Sequence, residues 1–190
     1  MADLDEEWVD REFDGVVFRD TSDGDLSRLR TTRVVFTECD FSGVNLTESE
    51  HDGSAFRNCN FRRASLQHST FKHCSLLGSV FSETRIRPVR MVEVNLTLTV
   101  LGECDLRATD LSGCRLREAS LVGADLRKAV LRGADLTGAR TQGARFEEAD
   151  LRGARVDPTF WTTAKLFGAK VDVDQAVAYA VAHGLDLHGG

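Results

Sequence analysis

The chain has very little of what interrupts or staples a fold. Of its 190 residues only two are proline, Pro88 and Pro158, which argues against a proline-rich disordered linker. No run approaches the roughly 18 consecutive apolar residues that a membrane-spanning helix needs, so no membrane partner is expected. Motifs for chemistry are absent too. There is no G-x-S-x-G, no phosphate-binding G-x-x-x-x-G-K-[ST], no H-E-x-x-H and no Rossmann glycine pattern. The expectation is a non-enzyme with no catalytic residues and no cofactor. A basic surplus is also missing: the net charge of −6 opposes direct nucleic-acid binding. The opening MADLDEEWVD is acidic, the reverse of a signal peptide's basic start, so a cytoplasmic location is expected. The five cysteines have neither Cys-x-x-Cys nor Cys/His ligand spacing, and no metal site is read from them.

What the chain does have is a five-residue period. From Ala119 it reads ASLVG, ADLRK, AVLRG, ADLTG, ARTQG, ARFEE, ADLRG. Neither a helix, with its period of 3.6, nor a strand, with its period of 2, produces this. Thirty central positions follow one another from Leu26 to Val171, and 27 are apolar, the exceptions being Thr31, His51 and Thr141. The position two residues earlier is Gly, Ala, Ser, Thr or Cys in 25 of the 30, and it holds all five cysteines, which serve there as small apolar fillers. The central and small residues point inward on this reading. Residues twenty apart then stack, so Phe41, Phe61, Phe81, Leu101 and Leu121 form one file and Leu106, Leu126 and Phe146 another.

The A-D/N-L-x-x units ADLRK (Ala124–Lys128), ADLTG (Ala134–Gly138) and ADLRG (Ala149–Gly153) resemble the pentapeptide-repeat family. That resemblance implies an all-β fold: a right-handed quadrilateral β-helix with four repeats to a coil, here followed by a short C-terminal α-helix. The body is assigned to 1–171, with an irregular first coil at 1–25, and a capping and dimerisation helix to 172–190. TSDGD (Thr21–Asp25) shifts the phase by three residues. Between Ile86 and Leu101, Pro88 with Val89 and Val94 in small slots reads as a kink or irregular turn, with a cis peptide before Pro88, or equally as a slightly widened coil. After Val171 the pattern turns helical. A capping Asp at 172 or 174 starts the helix and Gly184 stops it. Val173, Ala176, Val177, Ala180 and Val181 make one apolar face, expected to cover the end of the coil, and Ala178, Tyr179 and Ala182 leave the other nearly as apolar. A second copy is the simplest partner, with Val173, Val177, Ala178, Tyr179 and Val181 as the dimer interface.

Charge is concentrated at one end. Residues 1–52 hold 15 acids against 5 bases, and residues 53–190 hold 15 acids against 19 bases. The carboxylates Asp20, Asp23, Asp25, Asp40, Glu48, Glu50 and Asp52 are the binding candidates. Glu147, Glu148 and Asp150 read as a solvated cluster rather than an acid/base pair, and His51 points inward as a core histidine. The runs TECDFSGVNL (Thr37–Leu46), GSAFRNC (Gly53–Cys59), LGSVF (Leu77–Phe81) and VDVDQAVA (Val171–Ala178) resemble the mycobacterial fluoroquinolone-resistance branch of the same family. That resemblance implies a dimeric DNA mimic that binds DNA gyrase, modulates it and protects it from fluoroquinolones. Roughly eight coils about 4.8 Å apart make a body near 38 Å long, where B-DNA carries about 22 charges; only the first 52 residues reach that density. The competing reading is a generic pentapeptide-repeat scaffold or interaction protein with no gyrase target.

Overall fold

Each five-residue step ends in a reversed backbone, and this is what closes the chain into a square. The computed structural model describes residues 6–18 and 25–187. Two residues after every central position the backbone takes a left-handed conformation, with φ 62° at Arg28, 52° at Glu38 and 71° at Gly168. The exceptions along this series are Pro88, Pro158, Thr163 and Val173. A left-handed φ costs an ordinary residue about 1–2 kcal/mol, so glycine is frequent there. Proline, locked near −65°, is barred from it. Each of the two prolines therefore marks a side where the regular turn cannot form.

A second local device starts each turn. The Asp or Asn before the central residue accepts a hydrogen bond from the backbone N–H two residues on. Asn45 does so from Thr47 at 3.1 Å, Asp110 from Ser112 at 3.0 Å and Asp135 from Thr137 at 3.1 Å. These Asx turns explain why Asp and Asn recur at that position of the repeat.

The steps stack as a parallel β-solenoid. Five short strands, β1 (Glu7–Val9), β3 (Arg30–Thr32), β5 (Glu50–Asp52), β7 (Thr70–Lys72) and β8 (Arg90–Val92), form one sheet in that order. On the next side β2 (Glu12–Asp14), β4 (Val35–Thr37) and β6 (Ala55–Arg57) form a second. Isolated parallel bridges carry the ladder on, for example Asp105 to Asp125, Asp125 to Arg145 and Asp150 to Lys170. The offset is twenty residues throughout except in the first coil, where Glu7 faces Arg30 and Val17 faces Asp40. That offset of 23 is the three-residue phase shift of the sequence; most of the TSDGD stretch itself lies outside the described residues.

Inside, large stacks on large and small on small. The rings of Phe41 and Phe61 lie 5.0 Å apart at 5°, and those of Phe61 and Phe81 4.9 Å apart at 4°. Leu101 and Leu121 continue that file, and Leu106, Leu126 and Phe146 form another, all buried. Trp8 closes the N-terminal end against Phe13, Phe18 and Phe36. The five cysteines are free and buried in the small slots, and burial pushes the thiols of Cys59 and Cys104 up to about 12, so they stay protonated.

The two proline sides resolve differently. Arg87–Pro88 is a cis peptide in an irregular turn, and the register survives it, with Phe71 facing Met91. At Pro158 the chain enters a helix, α1 (Pro158–Thr163), with Pro at its first turn and Asp157 as N-cap. This corrects the sequence reading, which ran the repeat straight through. Phe160 and Trp161 remain buried, so the apolar series gave no sign of a helix. The interior also holds polar pairs where the series has its exceptions. The Thr31 hydroxyl is 2.7 Å from His51 Nδ1, and the Thr141 and Thr163 hydroxyls are 2.8 Å apart.

Because each step admits one large and one small residue, Ala124→Leu should overfill its side. The expected cost is about 1–3 kcal/mol, read as a lowered denaturation midpoint with an unchanged m-value.

Candidate functional site

With the interior filled, whatever the protein recognises must meet its outer faces or its ends. The acidic end is built on the first coils. Asp20 and Asp23 lie outside the described residues. Asp25 is exposed and works locally: its carboxylate accepts from the Ser27 N–H at 3.0 Å and from Asn45 at 2.9 Å. The Ser27 backbone bond holds its pKa below the ordinary carboxylate value. Asp40 serves an Asx turn with Ser42 at 2.8 Å. Glu48 pairs with Arg28 at 3.0 Å and Asp52 lies 3.2 Å from His73 Nδ1. Glu50 stands exposed on β5, with Arg30 and Thr70 beside it in the ladder. Glu48, Glu50 and Asp52 follow one another around a single corner of the square, whereas Asp40 sits on a different side. The structure therefore brings three of the candidates together and gives two of the others a turn to hold.

The described first coil adds carboxylates that the candidate set omits. Glu7, Asp10, Glu12 and Asp14 are exposed on or beside β1 and β2, and Glu38 is exposed one coil on. Asp10 is engaged by Arg33 through two bonds of 2.7 and 2.8 Å, which lower its pKa. The signal for such pairs was available as opposite charges twenty residues apart, or 23 across the first coil.

Farther along, the charges compensate one another. Arg107 and Asp105 meet at 2.6 Å, and Arg127 and Asp125 at 2.6 Å. Asp150 is buried rather than solvated. Arg152 and Arg132 hold it at 2.7 and 2.6 Å, which keeps it ionised well below the usual range. The expected solvated cluster at Glu147, Glu148 and Asp150 is corrected to that extent.

The opposite end is apolar. Helix α2 (Val173–Ala182) begins at Asp172, which accepts from the Gln175 N–H while the Gln175 side chain accepts from the Asp172 N–H. Gln175 is the buried residue of this helix, and its Nε2 donates to Leu151 O at 2.7 Å and Ala154 O at 2.8 Å. Two bare carbonyls at the end of the coil are thus covered by an amide. The valine face expected to do this is instead open: Val173 is 78% exposed and Val181 57%. Val177 and Ala178 are exposed as well, and Tyr179 meets Trp161 of α1 edge to face at 6.1 Å. A groove of about 510 Å³ runs between the helices, lined by Trp161, Leu166, Phe167, Val171, Ala176 and Tyr179. Phe167 on its rim, one place past the central Leu166, is 88% exposed, and nothing in the repeat pattern singles it out. Among the described residues no helix is long and apolar enough to cross a membrane.

Comparison with known proteins places this geometry. Three descriptions of pentapeptide repeats match, a repeat region over residues 64–141, nine copies over 36–80 and eight copies over 129–157. The chain is 74% identical over 61 residues to the pentapeptide repeat protein MfpA of Mycolicibacterium smegmatis, a stretch covering 32% of this chain and 30% of that protein. It is 65% identical over 63 residues to MfpA of Mycobacterium tuberculosis, 33% of each. The matched stretch thus spans about a third of the length of these relatives. Among solved structures, QnrB1, a plasmid-mediated fluoroquinolone resistance protein, superposes with a TM-score of 0.70 at 20% identity over 97% of this chain and 98% of that one. HetL, a pentapeptide repeat protein from the cyanobacterium Nostoc, gives 0.50 at 22% over 87% and 86%. These two likenesses are of fold.

Gln175→Leu would keep the helix but strip both carbonyls of their donor. We expect a loss of about 1–3 kcal/mol, measured by denaturant unfolding, with amide protection near Leu151 and Ala154 falling first.

Proposed function

The chain belongs to the pentapeptide-repeat family, and from that premise we propose that it is a DNA-mimicking protein that binds DNA gyrase, modulates its activity and protects it from fluoroquinolones. The identity with the two MfpA proteins supports the choice of target. The observation that carries the mechanism is the division of the rod into an acidic end and an apolar one. Two copies joined through α2, by Val173, Val177, Ala178, Tyr179 and Val181, would cover the valine stripe and set the two acidic ends far apart. Such a spindle offers carboxylates at fixed coil spacing to a basic, DNA-binding surface of the enzyme. Attraction of this kind acts at long range and is screened by salt. The protein forms and breaks no bonds in this reading; it competes by outline and charge. The site of action places it in the cytoplasm.

The corner Glu48, Glu50 and Asp52 is the place to test the charge, because reversing Asp25 or Asp40 would also break a turn. Glu48→Lys, Glu50→Lys and Asp52→Lys together should weaken gyrase binding at least tenfold at low salt and flatten its salt dependence, with the fold intact by circular dichroism. The readout is gyrase supercoiling with and without a fluoroquinolone. Unchanged binding and protection would reject the acidic-end assignment, and no effect of the unmodified protein on gyrase would favour a scaffold with another partner.

The apolar end has its own test. Val177→Asp with Val181→Asp places two charges on the exposed stripe, where a monomer tolerates them. Sedimentation should show a dimer for the native chain and a folded monomer for the variant.

A further inference from the structure

The coil around His51 contains a closed hydrogen-bond string that neither the fold nor the proposed partner explains. It runs from Asp52 O through Ser54 Oγ, Thr31 Oγ1, the two ring nitrogens of His51, Ser49 Oγ and Ser69 Oγ to Leu46 O. The links measure 3.2, 3.0, 2.7, 2.9, 3.2 and 2.7 Å in that order. All five side chains are buried, His51 at 2% exposure. Every link needs one proton. Four hydroxyls and one ring N–H supply five, so with a neutral imidazole one of the six links is empty.

Where the empty link falls depends on which ring nitrogen carries the proton. If Nε2 carries the proton, the string is complete toward Leu46 and the vacancy falls at Ser54, which has one proton for Thr31 at 3.0 Å and Asp52 O at 3.2 Å. If Nδ1 carries it, the vacancy falls between Ser49 and Ser69, at 3.2 Å. Two oxygens with no proton between them repel, so the empty link is one of the two long ones, at 3.2 Å on either side of the ring.

A second proton on the ring would fill the vacancy, but at the cost of burying a cation. The ring stacks on Phe71 at 4.7 Å and meets Phe56 edge-on at 5.1 Å. The charged groups of the packed elements all point the other way: Glu7 on β1, Arg30 on β3, Glu50 and Asp52 on β5, Arg57 beside Phe56 on β6, Lys72 on β7 and Arg90 on β8 are exposed on the outer faces. Among the described residues the other titratable group in contact is Cys74, whose thiol lies 3.4 Å from His51 O and 3.2 Å from Lys72 O, and burial holds it protonated, with its pKa pushed up to about 11. Among the described residues no carboxylate faces the ring from inside.

We propose that the His51 layer is an acid-sensitive latch, closed by the neutral imidazole and opened by its protonation, on the coils that carry the acidic end. The sign is fixed by linkage. Burial lowers the closed-state pKa to about 3, whereas an opened ring titrates near 6.5. Between these values the opened state binds the extra proton, so closure is complete above about 6.5 and is lost as the pH falls. The surplus carboxylates work in the opposite sense, since protonating them relieves repulsion at this end. Weakening between pH 7.5 and 5.0 therefore points to the histidine. The proposal stands independently of the gyrase assignment.

Hydrogen exchange on the full chain tests it, with the far coils as internal reference. On going from pH 7.5 to 5.0, protection of amides in 30–56 should fall about thirtyfold relative to those in 111–136, the factor expected for these two pKa values. His51→Phe and His51→Gln both remove the titration, the first by extending the aromatic stack and the second by keeping a donor and an acceptor. Either should abolish the difference. Equal loss at both ends in the native chain, or a pH effect that persists in a folded variant, would overturn the latch.

Discussion

One large and one small side chain per step is all that the inside of the square can hold, and most of the structure follows from that limit. Leu126 and Leu131 are fully buried, and so are the alanines at 124, 129 and 134 that alternate with them. Parallel coils repeat at about 4.8 Å, so a residue twenty positions on lies directly against its counterpart, and the core is a set of files rather than a cluster. Burying each Leu or Phe contributes about 1.5–3 kcal/mol, spread evenly along the rod. An interior filled in this way leaves no room for substrate. Function is pushed to the outer faces and to the two ends.

The same limit decides what the sequence reveals. The central series could be followed from Leu26 to Val171 because a slip of one residue would put a polar side chain inside. Its three exceptions are polar, and Thr31 and His51 bond to each other while Thr141 bonds to Thr163; each enters the file with a partner about one coil away. Pro158 was legible in principle, since it occupies a position that demands a left-handed backbone, but the helix it starts is only six residues long. Phe160 and Trp161 fill the interior from that helix, which left the apolar pattern undisturbed. Helix α2 was misjudged in orientation rather than in existence. Its apolar residues surround it, so periodicity could not say which face met the coil, and the answer turned on one polar side chain, Gln175.

Charge was legible as a total and not as a surface. Summed over the first 52 residues the excess of acid is large, but the ladder sets Arg28 against Glu48 and Arg33 against Asp10. Exposed pairs of this kind add little stability, about 0–1 kcal/mol each. Their larger consequence is to thin the field that a partner meets. The turn-forming aspartates are likewise committed: Asp25 and Asp40 hold backbone N–H groups and cannot reorient toward a ligand. The carboxylates free to do so sit on the strands and corners of the first coils, Glu7, Glu12, Asp14, Glu38 and Glu50 among them.

The two ends of the rod differ in kind, and this asymmetry gives a uniform repeat a direction. At the N-terminal end an aromatic cluster from Trp8 to Phe36 lies beneath a shell of acid. At the C-terminal end Gln175 seals the backbone and leaves valines and Phe167 bare. A partner of the apolar end gains by excluding water, and its hold is little affected by salt; a partner of the acidic end gains by charge and is screened. The two contacts can therefore be varied separately although one chain carries both. The polar His51 layer lies in the acidic half, among coils whose files otherwise hold stacked phenylalanines. Had Phe stood at position 51, the file from Thr31 to Phe71 would be drier and the half it supports less dependent on pH. The placement of the inward His51 beside the charge-bearing coils ties the stability of that half to its ionisation, while the alanine and leucine files beyond residue 116 are left out of the coupling.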